Sequence, residues 1–187
     1  MKVSPTALSD VLMIEPDRFG DGRGFFQETW HQRRYAGAGI DVDFVQDNIS
    51  LSTRGVLRGL HLQNPNPQGK LVSVLQGEVF DAAVDLRVGS PNFGRWSGAT
   101  LSAENGRQLW IPEGFGHGFC VLSETVLFAY KCTAFHDPKN ELTVLWNDPD
   151  IAVDWPLDDP VISDKDAAAE PLAALDQARL PRYAAMK

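Results

Sequence analysis

Two cysteines are all that the 187 residues contain, and neither belongs to a CxxC pair. Cys120 and Cys132 lie in apolar, strand-like runs, which argues against a disulfide framework or a zinc site and fits a reducing cytoplasm. Cations are scarce too. Against 25 Asp and Glu there are 17 Lys and Arg, a formal charge of −8 and the wrong sign for lying along a phosphate backbone. A local basic pocket for one small anion stays open. No apolar run approaches the ~18 residues of a membrane span, and Met1–Asp10 lacks the apolar centre of a secretion signal. The expectation is a soluble cytoplasmic protein with neither nucleic acid nor membrane as partner. Missing as well are a repeat with a period of roughly 20 to 50 residues and any strand–helix–strand alternation.

What is present is an ordinary globular composition, 43% hydrophobic and 22% charged, in a chain of a length suited to one domain over residues 1–187. Val11–Glu15 is a short apolar run stopped by Pro16, and Asp17–Gly24 reads as turn chemistry. Phe25, Phe26, Glu28 and Trp30 make a second short strand, and Thr29–Tyr35 winds into a brief helix ended by Gly37 and Gly39. From residue 44 onward, β-rich runs recur between turn residues: 44–52, 56–63, 70–75, 79–86, 94–101, 108–111, 118–122, 126–132 and 142–146. That spacing predicts an all-β sandwich or barrel. Ala167–Leu180 favours one or two short helices, interrupted or started at Pro171, and Arg182–Lys187 is expected to fray.

One segment gathers the chemistry: Arg58-Gly-Leu-His61-Leu-Gln63, then Lys70-Leu-Val-Ser73 after a Pro/Asn/Gly turn. A neutral imidazole is a useful base near pH 7, and works best when a carboxylate fixes its tautomer. Two acids qualify as that partner of His61. Asp85 lies in an otherwise apolar strand, where an unpaired charge is costly, and Asp166 lies on a polar segment beyond the sandwich; the residues alone favour Asp85 slightly. Strand parity sets Arg58 and His61 on opposite faces, so both reach one ligand only if Gly59 sits at a bulge or Arg58 lies before the strand proper, and a glycine inside a strand pattern often marks such a bulge. Tyr130 is either a core aromatic or a phenol able to donate and recover a proton. Arg23 and Arg58 carry the planar fork suited to a diphosphate.

Ile111-Pro-Glu-Gly-Phe-Gly-His117 has the PxGxxH spacing that supplies one ligand in metal-binding cupins. Such a site also needs an HxH pair and a glutamate, and the earlier strand reads His61-Leu62-Gln63, which leaves a metal under-coordinated. The expectation is no metal and no cofactor, with a metal-dependent cupin oxygenase as a rival and a non-catalytic binding domain as another.

Seven ordered blocks carry a resemblance: 21–28, 46–50, 55–61, 68–72, 84–87, 111–119 and 163–166. In order and spacing they resemble the dTDP-4-dehydrorhamnose 3,5-epimerases, from about residue 5 to about 180. The resemblance implies a cupin-like jelly roll with short C-terminal helices, a homodimer, and dTDP-4-dehydro-6-deoxy-D-glucose as substrate. It makes His61 the proton acceptor, Asp166 rather than Asp85 its acid, Tyr130 the proton donor on the opposite face and Lys70 the cation beside the C4 oxygen. It places Arg23, Glu28, Gln46, Asn48, Arg58, His117, His136, Glu141 and Lys165 against sugar, diphosphate and thymidine. Three positions depart from the family pattern: Leu62 for a usual Tyr, Ser73 for a common Arg, and His136 for a Tyr that stacks on thymine. A C3-only epimerase of a related deoxysugar nucleotide is the alternative within the family.

Overall fold

The computed structural model describes residues 1–183. Two antiparallel sheets face each other. The first has six strands in the order β1 (Lys2–Pro5), β2 (Leu12–Glu15), β10 (Gln108–Ile111), β7 (Lys70–Gln76), β12 (Thr125–Cys132) and β5 (Gln46–Thr53). The second has five, in the order β13 (Glu141–Thr143), β6 (Leu57–Gln63), β11 (Phe115–Val121), β8 (Glu78–Asp85) and β9 (Trp96–Ser102). This is the all-β sandwich expected from the run spacing, and the jelly roll that the resemblance implied. A separate hairpin, β3 (Arg18–Asp21) and β4 (Gly24–Gln27), stands off the sheets.

Burial follows from what covers each face. Between the sheets, Val72, Val74, Val126 and Phe128 meet Val79, Ala83, Phe119 and Val121. The outer face of the five-stranded sheet carries Leu57, Leu60, Leu62, Val84 and Cys120, sealed by Ile151, Trp155, Leu172 and Leu180 of the C-terminal segment. Strand β11, covered on both faces, is buried along its whole length. The six-stranded sheet is covered on one half only, where Ile14, Leu71 and Trp110 pack beneath Tyr35 and Ile40. On its other half Ile49 is 66%, Leu51 68% and Leu75 47% exposed.

Several local expectations need correction. The turn-like 17–24 stretch contains strand β3, because Arg18–Asp21 pairs with Gly24–Gln27 across a tight turn. Strand β1 pairs with β2 where no strand was expected. Helix α1 spans Gln32–Ala36, a little later than expected, and Trp30 lies outside any strand. The short helices expected after the sandwich do form, but shorter and partly earlier than Ala167–Leu180. Only α2 (Asp164–Ala167) and 3-10 turns at Leu172–Ala174 and Gln177–Arg179 form. Pro171 cannot donate to a helix, and the Glu170 carbonyl is taken instead by the Leu145 N–H at 2.9 Å, so pairing to the sheet overrides propensity. Arg182 and Tyr183 bridge to Val88 rather than fray; Ala184–Lys187 lie outside the described residues.

Candidate active site

Strand β6 meets the demand that parity placed on Gly59. Along the β6–β11 ladder Arg58 pairs with Phe119 and His61 with His117, so Gly118 alone faces both Gly59 and Leu60. The two-against-one count is a bulge, and it turns Arg58 and His61 onto the same inner face. Only glycine fits there. Gly59 has φ 137°, and an added Cβ would lie 2.6 Å from Gly118 Cα and 2.9 Å from the His117 carbonyl oxygen.

His61, with 24% of its side chain exposed, shares a hydrogen bond of 2.6 Å between Nε2 and Asp166 Oδ1. Asp166 arrives from far along the chain. The Val161 N–H bonds the Gly55 carbonyl at 2.8 Å, the Leu57 N–H bonds the Val161 carbonyl at 3.0 Å, and Ser163 then caps α2 by accepting the Asp166 N–H at 3.2 Å. Burial pushes the Asp166 pKa up, but hydrogen bonds from His61, the Gly59 N–H and Ser163 outweigh it and hold the carboxyl below its usual range. The Asp85 alternative fails on geometry. Asp85 is fully buried and consumed by the Arg87 N–H at 3.0 Å, Arg87 Nη2 at 2.7 Å and Ser90 Oγ at 2.6 Å, locking the loop after β8.

Across the gap, in the other sheet, Lys70 pairs in register with Cys132, and Tyr130 lies between Val72 and Asn48. Lys70 has no hydrogen bond or ion pair within the described residues, and burial drives its pKa down despite nearby Cys132, Glu141 and Asp81. Burial likewise pushes the Tyr130 phenol up, which keeps its proton in place near neutrality. Alternation on β5 turns Gln46 and Asn48 inward with Tyr130 and Cys132. Gln46 Nε2 donates to Asn48 Oδ1 at 3.0 Å, and Asn48 Nδ2 reaches Cys132 Sγ at 3.7 Å.

The rim is polar. Arg58 Nε donates to Ser52 Oγ at 3.1 Å while its guanidinium stays exposed. Lys165 Nζ lies 3.0 Å from Glu141 Oε1, and His136 Nε2 3.7 Å from Glu141 Oε2. Two of the three departures from the family pattern turn away from the gap. Leu62 is buried against the C-terminal segment, and Ser73 lies on the outer face, accepting from Gln108 Nε2 at 2.8 Å. His136 remains at the rim, beside a Phe135 that is 70% exposed.

Arg23 and Glu28 are not brought to this group. Arg23 is bound to Asp21 at 2.5 Å on the β3–β4 hairpin, and Glu28 to Arg34. That hairpin is fastened by Arg18 to the Ala103 and Glu104 carbonyls, beside Gly77, at the end of β7 opposite Lys70. One residue was missed by sequence reasoning. Asp81, fully buried, holds His117 by Oδ2···Nε2 at 2.9 Å, and its Oδ1 has no partner. Its signal was parity: Asp81 shares a face with Val79 and Ala83 of the core.

An imidazole held by a carboxylate in one sheet thus stands opposite a lysine and a phenol of the other, both desolvated by burial, and these residue types can move protons on and off carbon. A family model for dTDP-4-dehydrorhamnose 3,5-epimerase matches residues 5–174. The Pseudomonas aeruginosa enzyme of that name is 56% identical over 178 residues, covering 94% of this chain and 98% of its own length. A Neisseria gonorrhoeae relative of the same name is 52% identical over 181 residues, 96% of this chain, which spans only 55% of that longer protein. The crystal structure of dTDP-6-deoxy-D-glucose-3,5-epimerase from Legionella pneumophila Philadelphia 1, in complex with dTDP-4-keto-L-rhamnose, superposes with a TM-score of 0.96 at 53% identity, over 98% of this chain and 99% of that one. The chain belongs to the dTDP-4-dehydrorhamnose 3,5-epimerase family.

Proposed function

We propose that this protein inverts C3 and C5 of dTDP-4-dehydro-6-deoxy-D-glucose, giving dTDP-4-dehydro-L-rhamnose, without a metal or other cofactor. The observation that carries the reading is the 2.6 Å His61–Asp166 pair, facing Lys70 and Tyr130 from the opposite sheet. A proton next to a ketone is acidic because the electrons left behind move onto the carbonyl oxygen. His61 Nδ1, the ring nitrogen not committed to Asp166, takes that proton, and Asp166 stabilises the imidazolium. The Lys70 ammonium meets the negative charge on the C4 oxygen, and losing one such preorganised donor costs ~3 kcal/mol of barrier.

Inversion requires the proton to return from the other face. Tyr130 supplies it from its phenol and recovers one from water, while the imidazolium releases its own proton to solvent. The sequence is run once at C3 and once at C5. Gln46, Asn48, Arg58, Glu141, Lys165 and His136 form a polar rim suited to the sugar, diphosphate and base. A metal site is disfavoured by the residues themselves: His61 and His117 each commit Nε2 to an aspartate, and Leu62 points outward.

Incubating the protein with the substrate in heavy water tests this reading. Deuterium at both C3 and C5 supports it, deuterium at C3 alone converts it to the single-carbon epimerase, and no deuterium ends it.

The bare half of the six-stranded sheet and the projecting hairpin fit a homodimer. Ile49, Leu51 and Leu75 form an apolar face that water leaves uncompensated, and Phe19, Phe25 and Phe26 on the hairpin are each more than 60% exposed. A second copy packed on this face would bring Arg23 and Glu28 toward a partner's gap. Light scattering in solution should give twice the 20.6 kDa chain mass, and a monomer mass would refute it.

A further inference from the structure

The inner face of the five-stranded sheet holds a second His–Asp pair that the mechanism above leaves without a task. His117 stands directly opposite His61 in the β6–β11 register. Its Nε2 lies 2.9 Å from Asp81 Oδ2, and Nδ1 makes no hydrogen bond within the described residues. Asp81 is fully buried, yet its Oδ1 has no partner, an arrangement that costs free energy unless something offsets the charge. Lys70, on β7 of the facing sheet, likewise lacks a direct partner for its ammonium among the described residues, and the two charges favour each other: Lys70 holds the Asp81 pKa down and Asp81 holds that of Lys70 up, each against its own burial.

We propose that Asp81 is a positioning residue for the reaction: it fixes His117 in the tautomer with its proton on Nε2, and sets a buried negative charge against the Lys70 ammonium. The assignment rests on the epimerase reading. A carboxylate accepting the Nε2 proton leaves Nδ1 of His117 as an acceptor, suited to a sugar hydroxyl. The same negative charge balances Lys70, so that the ammonium persists in a dry site between turnovers and is ready when charge develops on the ketone oxygen. Burial alone would drive Lys70 toward the neutral amine, which offers that oxygen no charge. Other charged groups also act on Lys70: Cys132 from β12 and Glu141 from β13 hold its pKa up, Lys165 from α2 pushes it down, and Lys70 in turn lowers that of His117 on β11. Among the acids, Glu141 is tied to Lys165 at 3.0 Å, whereas Asp81 has an oxygen to spare.

The test is Asp81→Asn, which keeps the shape and removes the charge. Loss of an effective Lys70 ammonium predicts a fall in kcat of about 10²-fold with KM little changed. The alkaline limb of the kcat profile should move to lower pH, since removing the anion depresses the Lys70 pKa further. A purely structural role for Asp81 would lower thermal stability without moving that limb. Unchanged kcat and an unmoved limb overturn the proposal, as does a fall in kcat with the limb in place. Should the variant fail to fold, nitrogen-15 NMR of histidine-labelled wild-type protein decides: four histidines are present, and His117 should titrate as the neutral tautomer protonated at Nε2. Protonation at Nδ1, or an imidazolium at neutral pH, refutes the assignment. Wild-type protein in heavy water serves as the control. If the substrate then takes up no deuterium at C3 or C5, the epimerase reading has failed; if it does and the variant labels it equally fast, only the role of Asp81 has.

Discussion

Two histidines face each other across one rung of the five-stranded sheet, each held by an aspartate through Nε2, yet their surroundings differ sharply. His61 is 24% exposed and its aspartate comes from a segment 105 residues away that straps the sheet from outside. His117 is 8% exposed and its aspartate lies on the adjacent strand, inside the sandwich. Burial lowers the His117 pKa and raises that of Asp81, whereas hydrogen bonds hold Asp166 low. The same pair of side chains is thus assigned two jobs by access alone. In the proposed roles, the pair beside the gap exchanges protons with a substrate, and the pair within the core sets orientation and charge.

The strongest way to break this comparison is Asp166→Asn. It should leave the fold intact and lower kcat by roughly 10³-fold or more, because the imidazolium loses its counter-charge and the tautomer is no longer fixed. A loss no larger than that of Asp81→Asn would erase the distinction between the pairs. Next in size is Gly59→Ala. With a Cβ set against Gly118 and His117, the bulge must shift, and a stability loss of about 2 kcal/mol or more is expected, together with reduced kcat as His61 leaves the register of Arg58. Thermal melts and kinetics on one preparation check both parts, and an unchanged melting temperature would show that the bulge tolerates side chains.

The smallest effect lies in acid. A carboxyl held low in the folded state contributes stability that is present above its unfolded pKa of about 4 and is lost as pH falls through the folded value. The melting temperature of the wild type should therefore drop more steeply below about pH 4 than that of Asp166→Asn. Parallel curves would mean that the Asp166 hydrogen bonds contribute little.

Legibility followed the range of the physical signal. Alternation and turn residues marked nine runs beyond residue 44, and nine strands, β5 to β13, stand there. Parity, with a glycine inside the strand pattern, marked Gly59 as one of two ways to bring Arg58 and His61 together, and the bulge is the one found. The β3–β4 hairpin escaped because its four-residue strands are built from glycines and charges and pair only with each other. The short helices of the alanine-rich tail were legible, but not how short they are: helix propensity is local, whereas Glu170 and Val161 answer to backbone partners on the sheet. The choice between Asp85 and Asp166 could not be made from local composition. An acid in an apolar strand looks like a partner in need of a histidine, and Arg87 with Ser90 had already met that need. Only the resemblance pointed to Asp166, while Asp81, on the same face as Asp85, was passed over.

In the proposed mechanism a base in one sheet and a phenol in the other work on opposite faces of the sugar. Tyr130→Phe in heavy water tests it most directly. His61 should still remove protons and return deuterium from its own side, so deuterium accumulates in substrate that keeps its configuration while inversion is lost. Inversion at the wild-type rate, or exchange abolished along with inversion, would contradict the two-faced assignment.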